Sequence, residues 1–367
     1  VSAPRILTGL DLPWGSPGGS VELLKDLYSD PAGPLAASAF MLTPGDADAT
    51  PPPDASPLAL LDVPGKQLSG EGFWAYVDRL TDALTARFPH TEQDVLHLQH
   101  LAFGATPALL RGYPKQPAIG LVHGTDLLFA AEYETQGAVL RETVEAARSL
   151  VVPTAGMADQ LRRLAPQTDS GRIVHIPWGV PDALLAQPPA RVPREEGPLR
   201  VLYAGRLTAE KGADELVAVL TGVPGVRLSM AAPVAEFRRL AGQRDLSAVR
   251  HLGWLSREEL WAAFAEHDLL VVPSAKLEAF GLVAVEAQAC GLPVAYQPVP
   301  GLRDALADSA LPLDLLADPR RALAELIGLR DDPGALDGLR RSGFANAARF
   351  PLSRTARDLA ALSAQVR

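Results

Sequence analysis

"LRVLYAGRLTAEKGADELVAVL", residues 199–220, decides how the chain is organised. An apolar run stops abruptly at Gly205-Arg206, and a helical pattern resumes from about Ala213. Strand, sharp turn and helix in that order form half of a parallel βαβ unit. Immediately before it, "AQPPARVPREEGP", residues 186–198, is rich in proline and charge and has no periodicity. That composition suits an interdomain linker. The quoted stretch therefore opens a second domain.

The same alternation runs outward in both directions. Upstream, "RILTGL", "LAASAFML", "LALLDV", "DVLHLQH", "PAIGLVHG", "SLVVPT" and "RIVHIPWGV" read as strands. Helical patterns lie between them: "GGSVELLKDLYSD", "FWAYVDRLTDALTARF" and a segment over about 134–148. In the second of these, Phe73, Tyr76, Val77, Leu80 and Leu84 fall on one helical face. Downstream come "VRLSMAAP", "VRHLGW", "SREELWAAFAEH", "DLLVVPS" and "PVAYQP", then helices from about Pro319 with breaks near Pro333 and Pro351. Continuous apolar strands separated by helices imply parallel sheets covered on both faces. The expected fold class is α/β: two doubly wound, Rossmann-like domains, over 1–185 and 199–349, joined by the linker 186–198. A final helix over 350–367 is expected to return to the first domain. In such a pair the carboxyl ends of the strands face a cleft, and ligands bind there.

Composition limits the function. The chain has 367 residues, a net charge of −9 and a single cysteine, Cys290. An acidic chain is a poor general nucleic-acid binder. One cysteine excludes an internal disulfide and a multi-cysteine metal site. The start, "VSAPRILTGLDLPW", has no basic segment followed by a long apolar one, and no run approaches eighteen apolar residues. No leader and no stable membrane insertion are expected, and the location is expected to be cytoplasmic. The weight of Ala, Arg, Gly and Pro fits a GC-rich bacterial genome.

Four strand ends are candidates for chemistry. "DLPWGSPGGSVELL" runs through Gly15, Gly18 and Gly19 into a helix; it suits phosphate or acceptor binding, or is a plain strand-to-helix turn. In the quoted stretch, Arg206 and Lys211 can clamp a diphosphate, or be ordinary surface charges. It is not a Walker A loop. His123 ends a buried strand before Gly124 and can meet a sugar hydroxyl or be a satisfied core histidine, as can His97 and His100. None of these has metal-ligand spacing. The fourth is "SAKLEAFGLVAVEAQACGLPVAY", residues 274–296. A turn at Phe280-Gly281-Leu282 separates Glu278 from a helix over about 283–290 that carries Glu286; Gly291 stops that helix and Pro293 begins the next strand. Carboxylates suit sugar hydroxyls; the helix N-terminus suits phosphate.

Taken together these residues resemble the retaining glycosyltransferases of the GT-B fold, glycosyltransferase family 4. Glu278 to Glu286 matches the family's E-x7-E motif, Ala204 to Gly212 its "AGRL…KG" loop, and "RIVHIPWGV" its "VIPNGVD" stretch with Trp178 in place of asparagine. The approach "HLGWLSREELWAAFAEHDLLVVPS" is also similar. The resemblance implies a GT-B fold, with an acceptor-binding first domain and a donor-binding second one. It implies that Glu286 holds the ribose of a nucleotide sugar and that Glu278 meets the donor sugar near its anomeric centre. Phe280, Gly281 and Leu282 offer amides, and Arg206 and Lys211 stabilise the departing diphosphate. His123 meets the donor sugar, Gly18 and Gly19 approach the diphosphate or acceptor, and Leu255 contacts the base. Transfer with retention is implied, a diphosphate oxygen serving as base, with no metal and no cofactor beyond the donor. A small soluble acceptor is the expected partner; the oligomeric state is left open. The acidic "DAD" at Asp46–Asp48 lies in a Pro-rich loop and is assigned to solvent.

The chain departs from the family in reading "YQPVPGLRDAL" where a Gly-Gly…Glu segment is usual, and "SMAAPVAEF" where a glycine-rich loop is usual. Two other functions stay open: a GT-B phosphorylase or nucleotide-sugar epimerase, and a non-catalytic nucleotide-sugar-binding protein.

Overall fold

The computed structural model describes residues 3–29, 33, 35–44, 58–90, 93–193 and 197–367. Asp46–Asp48 and most of the Pro-rich loop around them lie outside the described residues. The chain divides into two compact units: residues 1–178 with 352–367, and residues 179–351.

The first unit holds β1 (Ile6–Pro13), β2 (Ala37–Leu42), β3 (Leu58–Leu61), β4 (Val95–Gln99), β5 (Ala118–Leu121), β6 (Ser149–Val152) and β7 (Ile173–His175). They pair in the order β3-β2-β1-β4-β5-β6-β7. The second unit holds β8 (Leu199–Ala204), β9 (Val226–Ala231), β10 (Arg250–Gly253), β11 (Leu269–Val272), β12 (Val294–Tyr296) and β13 (Leu311–Pro312), in the order β10-β9-β8-β11-β12-β13. Every ladder is parallel. Runs such as "SLVV" and "LLVV" are buried at every position because helices cover both faces. The helix Gly72–Arg87 buries the five residues that its periodicity marked.

This order has a consequence for function. Successive strands are added outward from β1 on one side and from β4 on the other. A crevice therefore opens at the carboxyl ends of β1 and β4, and likewise at β8 and β11. The loops that leave those four strands include "LPWGSPGGS", "GRLTAEKG" and "PSAKLEAFG". All three carry the glycines, cations or carboxylates that mark candidate chemistry in the sequence.

Several helices had no clear sequence signal: Ala105–Gly112, Thr125–Glu132 and Ala155–Leu164. Each is short, and Ala105–Gly112 is buried nearly all round, so no polar face marks it. The Pro-rich segment expected as a linker is stitched to the second unit. Val192 N–H donates to the Ala265 carbonyl, and Arg191 donates to the carbonyls of Phe264 and His267. The chain passes between units at 178–179 and again at 351–352. The helix Leu352–Val366 clusters with the first unit, where Thr355 Oγ1 donates to the Pro177 carbonyl at 2.8 Å.

Candidate functional site

In the second unit two glycines set the site. Gly212 has φ +64°, and a Cβ there would lie 2.0 Å from the Pro273 carbonyl oxygen. The absent side chain lets the loop after β8 lie directly on the loop after β11, and Ala275 N–H donates to the Glu210 carbonyl at 2.8 Å. Gly301 has φ +85°, and a Cβ there would lie 1.6 Å from the Glu278 carbonyl oxygen. The loop after β12, where the chain departs from the family pattern, thus presses on the other side of Glu278.

Glu278 sits between these loops and its carboxylate is engaged. Oε2 accepts from Lys211 Nζ at 2.7 Å and from Ser274 Oγ at 2.9 Å. Sequence reading gave Lys211 to the diphosphate and Glu278 to the sugar; the structure pairs the two. Arg206 makes no ion pair among the described residues. Its backbone is braced instead: its carbonyl accepts from the Tyr203 hydroxyl, the next amide, of Leu207, donates to Glu236, and the Leu207 carbonyl accepts from Arg239 at 3.2 Å. Glu236 and Arg239 lie on the helix Val234–Ala241, which follows the atypical "SMAAP". Burial, with the charges of Glu278 and Glu236 behind it, holds the Tyr203 phenol far above its ordinary range, so it stays a donor.

Beyond the turn, Gly281 caps the helix Leu282–Ala289. The first N–H groups of any helix lack intrahelical partners and favour an anion. Phe280 turns its ring into the core, edge-on to Phe350 at 5.1 Å, so only its backbone can serve a ligand. Glu286 is buried one turn into the helix. Oε1 accepts from Arg257, with Nε at 3.1 Å, and Oε2 accepts from Trp261 Nε1 at 3.3 Å. Arg257 and Trp261 were missed in sequence. Ser256 and Glu259 form a capping box, and Arg257 beside them reads as an ordinary first-turn residue. The available signal was Glu286 itself, since a carboxylate among apolar helix positions needs a cation. Leu255 is half-buried just past β10, next to Trp254, which is 46% exposed. Cys290 is buried and its thiol is pushed up to about 12, first by burial and then by Glu286, so it packs rather than reacts.

In the first unit Gly18, with φ +150°, precedes the helix Gly19–Tyr28, and a Cβ built there would meet no described atom within 4 Å. His123 lies just past β5, before Gly124 and the helix Thr125–Glu132. Its Nε2 lies 2.7 Å from Gln99 Oε1, and its ring stacks on Trp178 with centroids 5.6 Å apart. Trp178, in place of the family's asparagine, therefore shapes this histidine's surroundings. Burial pushes the His123 imidazole down to about 3, so it is neutral at physiological pH. His97 is a core histidine, held between Tyr28 OH at 2.7 Å and Ser363 Oγ at 2.8 Å. His100 has φ +59°, with Nε2 3.0 Å from Ser20 Oγ. Among the described residues no cluster of three His, Cys, Asp or Glu side chains could hold a metal ion, and no helix is long and apolar enough to cross a membrane.

Two doubly wound parallel sheets, with chemistry-bearing loops at their switch points, define the GT-B class of fold. The solved structures agree. The chain superposes on sucrose-phosphate synthase from Thermosynechococcus elongatus with a TM-score of 0.82, at 22% identity, over 99% of each chain. It superposes on Anabaena HepE in complex with UDP-glucose with a TM-score of 0.74, at 17% identity, over 99% of this chain and 100% of that one. The model of the family "Glycosyl transferases group 1" matches residues 189–328. D-inositol 3-phosphate glycosyltransferase 1 of Catenulispora acidiphila is 31% identical over 295 residues, which span 71% of this chain and 69% of that one. The chain belongs to the glycosyl transferases group 1 family. With other curated relatives the match spans only 27% to 61% of their length.

Proposed function

We propose that this chain transfers a glycosyl group from a nucleotide-diphosphate sugar to a small soluble acceptor, with retention of anomeric configuration and without a metal ion, in the cytoplasm. The observation that carries the reading is the spacing around one helix N-terminus. Glu278 precedes it, Glu286 follows it by one turn, and Arg206 and Lys211 come from the neighbouring switch-point strand.

In this reading Glu286 accepts from the ribose hydroxyls. The diphosphate lies against the amides of Phe280, Gly281 and Leu282. Of the two, Arg206 is the cation best placed to meet it, having no carboxylate on it among the described residues. Lys211 is shared between Glu278 and the diphosphate. Breaking the anomeric C–O bond puts negative charge on the leaving diphosphate and oxocarbenium character on the sugar. Preorganised cations and amides stabilise that charge; one such donor is worth about 3–4 kcal/mol. Glu278, fixed by Lys211 and Ser274, faces the positive side of the transition state. A diphosphate oxygen takes the acceptor proton, and the acceptor enters on the face the leaving group vacates. Gly18 and Gly19 approach the diphosphate or the acceptor, and Leu255 contacts the base.

HepE was solved with UDP-glucose, so UDP sugars are the first donors to test. A thermal-shift panel of UDP-, GDP-, ADP- and dTDP-sugars is expected to single out one base, and Glu286→Ala is expected to weaken that hit. Unchanged affinity in Glu286→Ala would refute the ribose assignment.

A further inference from the structure

His123 is held by a chain of buried hydrogen bonds whose directions can be worked out one at a time. Thr8 is fully buried, and its hydroxyl has one proton. It lies 2.8 Å from the His97 carbonyl, which can only accept, so the proton goes there. Thr8 Oγ1 must then accept from its other neighbour, the side-chain amide of Gln99 at 3.0 Å. That fixes the amide with its NH2 toward Thr8 and its oxygen toward His123. Gln99 Oε1 lies 2.7 Å from His123 Nε2, and an amide oxygen cannot donate. Nε2 therefore carries the proton. A neutral imidazole has one protonated nitrogen, so Nδ1 holds the lone pair.

We infer that Thr8 and Gln99 are positioning residues that lock His123 as a hydrogen-bond acceptor at Nδ1, so that the ligand group it meets is a hydroxyl or N–H. The identification of that ligand as the donor sugar rests on the function proposed above. The assignment removes one role for His123. It cannot protonate the leaving diphosphate, because the ring has no spare proton at Nδ1. Thr8 lies within β1 and Gln99 ends β4, the two strands that flank the first unit's switch point, so the sheet order itself brings the device to His123.

Selective nitrogen-15 labelling of histidine, with His123→Gln to assign the resonances, reads the tautomer directly. The wild-type protein is expected to show a protonated Nε2 and an unprotonated Nδ1 between about pH 6 and 8. Gln99→Leu is expected to give mixed tautomers, and Thr8→Val a smaller shift the same way, because the amide is then free to turn over. A protonated Nδ1 in the wild type, or an unchanged spectrum in Gln99→Leu, overturns the inference. The ligand half is tested with UDP-glucose and its singly deoxyfluorinated analogues by calorimetry, since fluorine cannot donate. One analogue is expected to bind about tenfold more weakly, and the gap to close in His123→Ala. If every gap survives in His123→Ala, that half falls. If wild type does not bind UDP-glucose, it falls along with the proposed donor, while the histidine spectrum still decides the tautomer.

Discussion

The two candidate regions hold their key side chains by opposite means. In the second unit each carboxylate is matched by a cation: Glu278 by Lys211, Glu286 by Arg257. In the first unit the central groups are neutral, and hydroxyls and an amide hold His97 and His123. The charged half is suited to a charged ligand, since a diphosphate can take over cations that carboxylates already hold in place. The neutral half is suited to hydroxyls. The contrast is testable, because charge pairs and neutral networks respond differently to substitution, pH and salt.

The largest effect is expected at Lys211. Lys211→Ala removes a cation from the leaving group and also strips Glu278 of its partner. Steady-state transfer should fall by about 10²–10³ in kcat. A loss under tenfold would mean that Lys211 serves only to hold Glu278. Next in size is Glu286 with Arg257. Both side chains are mostly buried, so removing one partner leaves an unpaired charge and should cost about 3–5 kcal/mol. Arg257→Leu alone should therefore lower the denaturation midpoint more than Arg257→Leu combined with Glu286→Leu. Equal effects in chemical denaturation would show that the pair is not coupled.

The neutral half should appear as acid sensitivity. His97 and His123 are both pushed down to about 3, below the ordinary histidine value, so the unfolded chain binds more protons between about pH 3 and 6.5. Their contribution to stability is complete above about pH 6.5 and is lost as pH falls toward 3. Asp126 works the other way. Burial raises its carboxyl to about 6 against the amides of Leu101 and Leu127, so it offsets part of the loss between about pH 4 and 6. Two histidines against one carboxyl leave a net slope of about 1.4 kcal/mol per pH unit there at most. His97→Gln should flatten a plot of melting temperature against pH over that window; an unchanged slope would remove His97 from the account. The smallest effect is the control. Arg321 is 77% exposed and pairs with Glu325, and Arg321→Gln should change stability by less than about 0.5 kcal/mol.

These contrasts were only partly legible in the sequence. The alternation of strands and helices was readable because buried strands and amphipathic helices carry local periodicities. Glu278, Glu286 and Lys211 were readable because turn, glycine and charge lie within a few positions of one another. The partners were not. Arg257 reaches Glu286 across 29 positions, and Gln99 reaches His123 across 24. Such pairs exist only once strand order is known, and nothing local to Arg257 or Gln99 distinguishes them from a capped helix start or a strand polar residue. Trp178 was noticed as a substitution, but its stacking on His123 depends on the packing of distant loops.

The division of the chain also orders its synthesis. The first unit is not contiguous: the whole of 179–351 is made between its two pieces. His97 receives one of its two partners from Ser363, 266 positions later. On a ribosome the first sheet therefore emerges with a buried imidazole still missing a hydroxyl, and waits through an entire second unit before the closing helix arrives. The second unit, made in one stretch, has no such wait. Released chains truncated after residue 351 should show the second unit protected from protease while the first remains open.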